Sequence, residues 1–195
     1  MDAELAALLS ELHEFGASHD AQRADRLQRL RNLEPETARV LALLVRAMGA
    51  RRVLELGTSN GYSTLWLADA ARAVGGSLLS VDVDEPRSAM AAENLRRAGL
   101  QEQVTLRVQD AAQALAQTPA GSLDLIFLDA ERPAYAGYWP ALLRALRPGG
   151  VLAVDNVVSH AEEVRDFRAL VAAEPGVSEA LVPTGAGLLL VVRDP

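Results

Sequence analysis

Three oxygen-bearing side chains stand where short apolar runs stop. Asp129 follows the run 123–128, Asp155 closes the run 151–155, and Asn156 comes directly after it. If the two runs are neighbouring parallel strands, their ends lie about 4.8 Å apart, so the three side chains can converge on one point. Two carboxylates and an amide oxygen are hard donors. They suit Mg²⁺ or Ca²⁺, with waters or substrate oxygens completing the shell. Aspartate and asparagine also form turns at strand ends, and a lone aspartate there reads as a turn. Three donors beside a glycine loop weigh toward a cation.

That loop lies in Arg52-Val-Leu-Glu-Leu-Gly-Thr-Ser-Asn-Gly-Tyr-Ser-Thr-Leu-Trp-Leu-Ala68. Val53–Leu56 is apolar except for Glu55, Gly57 and Gly61 bracket Thr58, Ser59 and Asn60, and Leu65, Leu67 and Ala68 begin a helical run. Strand, glycine turn and helix open a doubly wound α/β sheet, where glycines let backbone N–H groups approach a ligand. The spacing is G-x-x-x-G, not the G-x-G-x-x-G of dinucleotide sites. Asp82 ends the run 77–82, and its ionised carboxylate can accept from both hydroxyls of a ribose. A solvated strand end is the plainer alternative, although Asp84, directly before Glu85-Pro86, is the better helix cap. Asp110 ends the third run, 103–108, and can accept from an exocyclic amine such as that of adenine while capping a helix over 111–116. His13 and His19 read as solvated. His160 could reach the mouth of the site or simply start a helix.

Composition narrows the function classes. With 195 residues the chain has the length of one ordinary domain, and its formal charge of -7 argues against a broad nucleic-acid surface. It has no cysteine, so disulfides, thiolate metal sites and cysteine nucleophiles are excluded. Met1-Asp-Ala-Glu carries no basic leader, and no apolar run reaches membrane-spanning length, so a cytoplasmic protein without membrane contacts is the expectation. All 19 basic residues are arginine. That removes every lysine base and every Schiff-base mechanism.

The elements that must position these groups follow from periodicity. Leu5, Leu8, Leu9, Leu12 and Phe15 predict a helix over 2–16 with Asp2 as its cap, and a second helix is expected from Asp20 to about Leu30. These two either pack on the sheet, cover the mouth of the site, or meet a second subunit in a homodimer. Pro35 opens a third helix ending at Gly49. Strand 52–56, helix 62–73, strand 77–82, a helix from the Asp84 cap to Gly99, strand 103–108 and helix 111–116 follow. Strand 123–128, helix 135–146, strand 151–155 and helix 161–173 come next, then strands 177–182 and 188–193 at hairpin spacing. Five β-then-α repeats imply a parallel sheet with right-handed crossovers, and the hairpin makes the last strand antiparallel. One domain is expected, with residues 1–34 as a helical cap and 35–195 as the core.

From about Pro35 onward the chain resembles class I S-adenosylmethionine-dependent methyltransferases, and within them the metal-dependent O-methyltransferases of the catechol and caffeoyl-CoA type. The resemblance rests on Val-Leu-Glu-Leu-Gly-Thr-Ser-Asn-Gly-Tyr-Ser-Thr at 53–64, Asp82, Asp110-Ala111, Phe-Leu-Asp-Ala at 127–130, Leu-Arg-Pro-Gly-Gly at 146–150, Val-Asp-Asn-Val at 154–157 and Gly-Ala-Gly-Leu-Leu-Leu at 185–190. It implies a Rossmann-like sheet of order 3-2-1-4-5-7-6. It also implies that Glu55, Gly57 and the loop Thr58, Ser59, Gly61 and Ser63 surround the methionine part of S-adenosylmethionine. Asp82 would bind the ribose, Asp110 and Ala111 the adenine, and Asp129, Asp155 and Asn156 the metal. The implied reaction methylates a hydroxyl of a small catechol-like acceptor.

One position departs from that family. Its lysine, three residues after the first metal aspartate, is the general base beside the reacting hydroxyl. Here Arg132 stands at that place, and a guanidinium cannot give up its proton at working pH. Three readings stay open: Arg132 stabilises a phenolate, another group such as Glu131 or His160 takes the proton, or the acceptor is not a catechol. Tyr135, Tyr138 and Trp139 could line an acceptor pocket, with burial the preferred reading for Trp139. A cofactor-binding protein without catalysis and an NAD-dependent Rossmann oxidoreductase are the rival functions.

Overall fold

A computed structural model describes residues 1–195. In chain order the elements are α1 (Ala3–Ala21), α2 (Pro35–Met48), β1 (Arg52–Leu56), α3 (Tyr62–Ala73), β2 (Ser77–Asp82), α4 (Glu85–Arg97) and β3 (Val104–Val108). Then come α5 (Ala111–Gln117), β4 (Leu123–Leu128), α6 (Tyr135–Ala145), β5 (Leu146–Val154), α7 (Arg165–Ala173), β6 (Val177–Val182) and β7 (Leu188–Arg193). The seven strands form one sheet of order β3-β2-β1-β4-β5-β7-β6. β7 runs antiparallel to both of its neighbours, as the hairpin spacing predicts.

The central strands are buried on both faces, which is why they read as nearly unbroken apolar runs. Their side chains alternate between two cores. Val53, Leu125 and Phe127 point to the side covered by α1, α2 and α3, whereas Leu54, Ile126 and Leu128 point to the side of α5, α6 and α7. On that second side Phe167 meets Tyr135 and Trp139 edge-on, each at 5.8 Å between ring centres. No helix is long and apolar enough to cross a membrane.

Helix boundaries differ from expectation mainly at the N-terminus. α1 continues to Ala21, and the expected helix from Asp20 to Leu30 does not form. Its place is taken by a single 3-10 turn, Arg26–Gln28, and an extended stretch. The Asp20 carboxylate explains this, since it accepts from the backbone N–H groups of Leu30 at 2.7 Å and Arg31 at 2.8 Å. Those bonds close a loop that a helix would have opened, and they bury Leu30 while leaving Leu27 61% exposed. Phe15, expected in the buried stripe, is 48% exposed. The stripe instead runs Leu5, Leu8, Leu9, Leu12, Gly16, and a side chain at Gly16 would collide with Asn32. α1 therefore spends its apolar face within the chain. The helix expected over 161–173 begins only at Arg165, because residues before it turn about the His160 N–H bond to the Asn156 carbonyl. β5 begins at Leu146, earlier than the expected 151, with a shift of register against β4 between Leu123 and Leu125.

Candidate active site

The carboxyl ends of β1, β2, β4 and β5 open into one cleft of about 670 Å³. That is the size of a small-molecule site, at the place where doubly wound sheets hold ligands. Its floor depends on Gly57, whose φ is +109° and where a Cβ would strike the Asp129 carbonyl. Glycine is the residue that lets the β1 loop pass against the end of β4. The next turn is tied to β2 through Asp82. One of its oxygens accepts from the Ser59 N–H at 2.7 Å, the other from the Asp84 N–H at 2.9 Å. Three non-glycine residues have positive φ, namely Arg31, Ser59 and Asn156, and all three line this cleft. Such conformations cost about 1–3 kcal/mol each and gather at functional sites.

Asp129, Asp155 and Asn156 converge as their positions at neighbouring strand ends predict. The Asn156 amide donates to Asp129 Oδ1 at 2.9 Å and to Asp155 Oδ2 at 3.0 Å. Asp155 Oδ1 is buried without a partner. Burial raises the Asp155 carboxyl to about 6, and burial together with the Asp155 charge holds Asp129 well above the usual carboxylate range. The two carboxylates are hard donors and leave one buried oxygen bare. The Asn156 amide turns its N–H₂ toward them, so its oxygen would join a cation's shell only after the amide flips.

Thr58, Ser59, Ser63, Asp82, Asp110 and Ala111 also line the cleft. Asp110 caps α5 as well, accepting from the Gln113 N–H at 3.1 Å, so its cleft position and its capping role coexist. Glu55 and Gly61 do not line it. Gly61 caps α3 at φ +85°, packed on Ala91, and Glu55 lies fully buried behind the loop. Of the aromatic residues after β4, Tyr138 faces the cleft, while Tyr135 and Trp139 belong to the core. His160 lines the cleft with Nδ1 on Ser159 Oγ at 2.8 Å. His13, expected in solvent, is half-buried and lies 5.8 Å from the Tyr62 ring.

Arg132 sits in the 3-10 turn Arg132–Ala134 after β4 and is only 3% exposed. Its Nε donates to Glu163 at 2.9 Å, and its Nη2 is buried with no partner. Glu131 lines the cleft, half-exposed, and is held by Arg26 at 3.2 Å and Arg31 at 2.9 Å.

Covering the mouth of the site was one reading of the leading residues, but as a helix. Residues 22–34 lie over the cleft as a strap. Arg87 of α4 donates to the Leu27 and Arg29 carbonyls, Ser59 Oγ donates to the Leu30 carbonyl at 2.8 Å, and Arg26 reaches Glu163 at 3.3 Å.

A model of the O-methyltransferase family matches residues 1–194. The chain belongs to the O-methyltransferase family. Within that family it is 39% identical over 130 residues to a catechol O-methyltransferase of Niastella koreensis, an alignment covering 65% of this chain and 58% of that protein. It is 34% identical over 157 residues to a catechol O-methyltransferase of Mycobacterium tuberculosis, covering 80% of this chain and 66% of that one. The chain thus spans somewhat less than two thirds of each of these relatives. Among solved structures, an O-methyltransferase from Bacillus cereus in complex with SAH superposes with a TM-score of 0.81 at 30% identity, covering 96% of this chain and 91% of that one. Family membership sets aside the NAD-dependent reading.

Proposed function

We propose that this chain transfers the methyl group of S-adenosylmethionine to a hydroxyl of a small catechol-like acceptor, assisted by a divalent cation such as Mg²⁺. The observation that carries the reading is the convergence of Asp129, Asp155 and Asn156 on one point, in the same cleft as the glycine loop and Asp82. In the overall reaction the acceptor oxygen gains the methyl, the sulfonium S–C bond breaks, S-adenosylhomocysteine leaves, and one proton is released.

The residues divide the work. Gly57, Thr58, Ser59 and Ser63 would enclose the methionine part, Asp82 the ribose, and Asp110 with Ala111 the adenine. Asp129, Asp155 and Asn156 would hold the cation, whose contribution when bound is to acidify and orient the acceptor hydroxyl. The bare Asp155 Oδ1 supports that assignment. Arg132 cannot serve as base. Arg132 lines the cleft and its buried Nη2 has no partner, which supports a role as a fixed positive charge that favours the acceptor as an anion. Burial, and next the Arg132 charge, hold His160 below its ordinary value. Its imidazole is therefore neutral near pH 7 and able to accept the proton, whereas Glu131 is occupied by two arginines.

The deciding experiment is transfer of labelled methyl from S-adenosylmethionine to caffeate, with Mg²⁺ and again with excess EDTA. Transfer that EDTA abolishes is expected. Transfer unaffected by EDTA overturns the role of the cation. No transfer to any catechol, with tight S-adenosylhomocysteine binding, would favour the catalytically silent alternative, for which Arg132 is the one structural argument.

A further inference from the structure

Glu55 is a buried acid without a task in the reading above. It is fully buried on β1, outside the cleft lining, and its side-chain hydrogen-bond partners are all hydroxyls. Ser63 Oγ lies 2.5 Å from Oε1, while Thr64 Oγ1 at 2.5 Å and Ser80 Oγ at 2.6 Å share Oε2. A fourth hydroxyl, Thr58 Oγ1, lies 2.6 Å from Ser80 Oγ.

Proton counting gives this chain a direction. A hydroxyl has a single proton, and a carboxylate that is ionised, as Glu55 is above about pH 7, only accepts. Ser63, Thr64 and Ser80 therefore each commit their proton to Glu55. Ser80 has none left for Thr58, so Thr58 must donate to Ser80. Thr58 and Ser63 both line the cleft, and both are left with lone pairs alone to offer a ligand.

We propose that Glu55 is a positioning residue that acts through this hydroxyl relay, fixing Thr58 and Ser63 as acceptors so that the glycine-loop wall selects an ammonium group. The inference rests on the reading that the cleft takes S-adenosylmethionine, whose α-ammonium is such a group. The carboxylate never touches the ligand. Its charge reaches the wall as the orientation of two hydroxyl dipoles, without an exposed acid that water would screen.

The test compares S-adenosylhomocysteine with its deaminated analogue, in which hydrogen replaces the α-ammonium, by calorimetric titration and competition. At about pH 8.5, where Glu55 is ionised, the wild type is measured beside Glu55→Gln and Ser80→Ala. Glutamine keeps the shape but puts an N–H₂ where an oxygen accepted, so at least one hydroxyl must turn round. Ser80→Ala cuts the relay while leaving Glu55 in place, and covers the case in which Glu55→Gln fails to fold. Both variants are expected to shrink the preference for the ammonium-bearing ligand about tenfold, the scale of a charge-assisted hydrogen bond, and to leave the analogue's affinity unchanged. Equal weakening of both ligands assigns Glu55 to packing alone and overturns the relay, as does an unchanged preference. A wild type that binds neither ligand overturns the cofactor reading itself.

Discussion

Arg132 Nε donates to Glu163 at 2.9 Å while Arg132 Nη2, equally buried, faces no acceptor. A guanidinium with one edge pinned and the other free is a preset charge, because the ion pair fixes its plane and burial keeps water from screening it. Removing that charge should cost the reaction more than it costs the fold. Arg132→Ala is expected to lower kcat/KM about 10- to 100-fold, from the loss of a charge-assisted interaction of about 1.5–3 kcal/mol. Arg132→Lys should recover part of the rate. Steady-state kinetics of the two variants at equal cofactor saturation check this, and an alanine variant with the wild-type rate removes Arg132 from the chemistry.

Asp155→Asn separates cation binding from cofactor binding. Asp155 destabilises the metal-free chain, since burial raises both carboxyls and the Asp155 charge raises Asp129 further. The metal-free variant should therefore melt higher than the wild type. Mg²⁺ should raise the melting temperature of the wild type and leave that of the variant unmoved, with S-adenosylhomocysteine affinity unchanged. Thermal melts with and without Mg²⁺ read this without any turnover. A variant that Mg²⁺ still stabilises would show that the cation sits elsewhere.

The sheet order, the antiparallel β7 and the meeting of Asp129, Asp155 and Asn156 were legible because strand ends in a parallel sheet are fixed by period and topology. The strap was not. Its geometry comes from Asp20 reaching ten and eleven residues ahead and from Arg87 on α4 reaching carbonyls 60 and 58 residues back. No local propensity encodes such contacts. Glu55 was half legible: an acid in an apolar strand marks a site, but whether it faces the ligand or the wall behind it depends on which neighbours carry hydroxyls, and Ser80 lies on another strand. Position 132 was legible as a departure, and the structure adds the free Nη2.

Asp82→Ala should weaken S-adenosylhomocysteine by about 1.5–3 kcal/mol, the value of hydrogen bonds to a charged group. Part of that loss is indirect, because Asp82 also holds the Ser59 N–H and so the loop. Asp82→Asn keeps one acceptor for that bond and should fall between the two. Calorimetry on the three proteins checks the order, and equal affinity for all three would place the ribose elsewhere.

Glu55 gives stability a pH dependence of definite sign. Burial raises its carboxyl from the ordinary 4.5 to about 7, against the opposing hydrogen bonds of Ser63, Ser80 and Thr64. Between those values the folded state holds a proton that the unfolded chain has lost, so stability falls as pH rises across the window and levels off above it. The full fall is on the order of 3 kcal/mol for such a shift. Asp129 and Asp155 slope the same way, so the diagnostic quantity is the difference between wild type and Glu55→Gln. Urea unfolding at several pH values should show the glutamine variant losing less stability across the window. Parallel curves would mean that Glu55 titrates normally.

The strap should govern exchange of the cofactor rather than its equilibrium fit. Arg87 donates to the carbonyls of Leu27 and Arg29, and on the other wall Arg26 and Arg31 pair with Glu131 and Glu163. The pairs to Glu131 and Glu163 are exposed, and each is worth about 1 kcal/mol or less. The Arg87 guanidinium is better shielded, with 16% of its side chain exposed, so it is the stronger anchor. Arg87→Ala should loosen the roof on the ribose side and speed dissociation of S-adenosylhomocysteine, with global stability changed by no more than about 1 kcal/mol. High salt should weaken the Glu131 and Glu163 side and give a smaller acceleration in the wild type. Stopped-flow displacement of bound S-adenosylhomocysteine measures both. If dissociation from the Arg87→Ala variant is no faster than from the wild type, the strap is a fixed wall and the ligand leaves by another path.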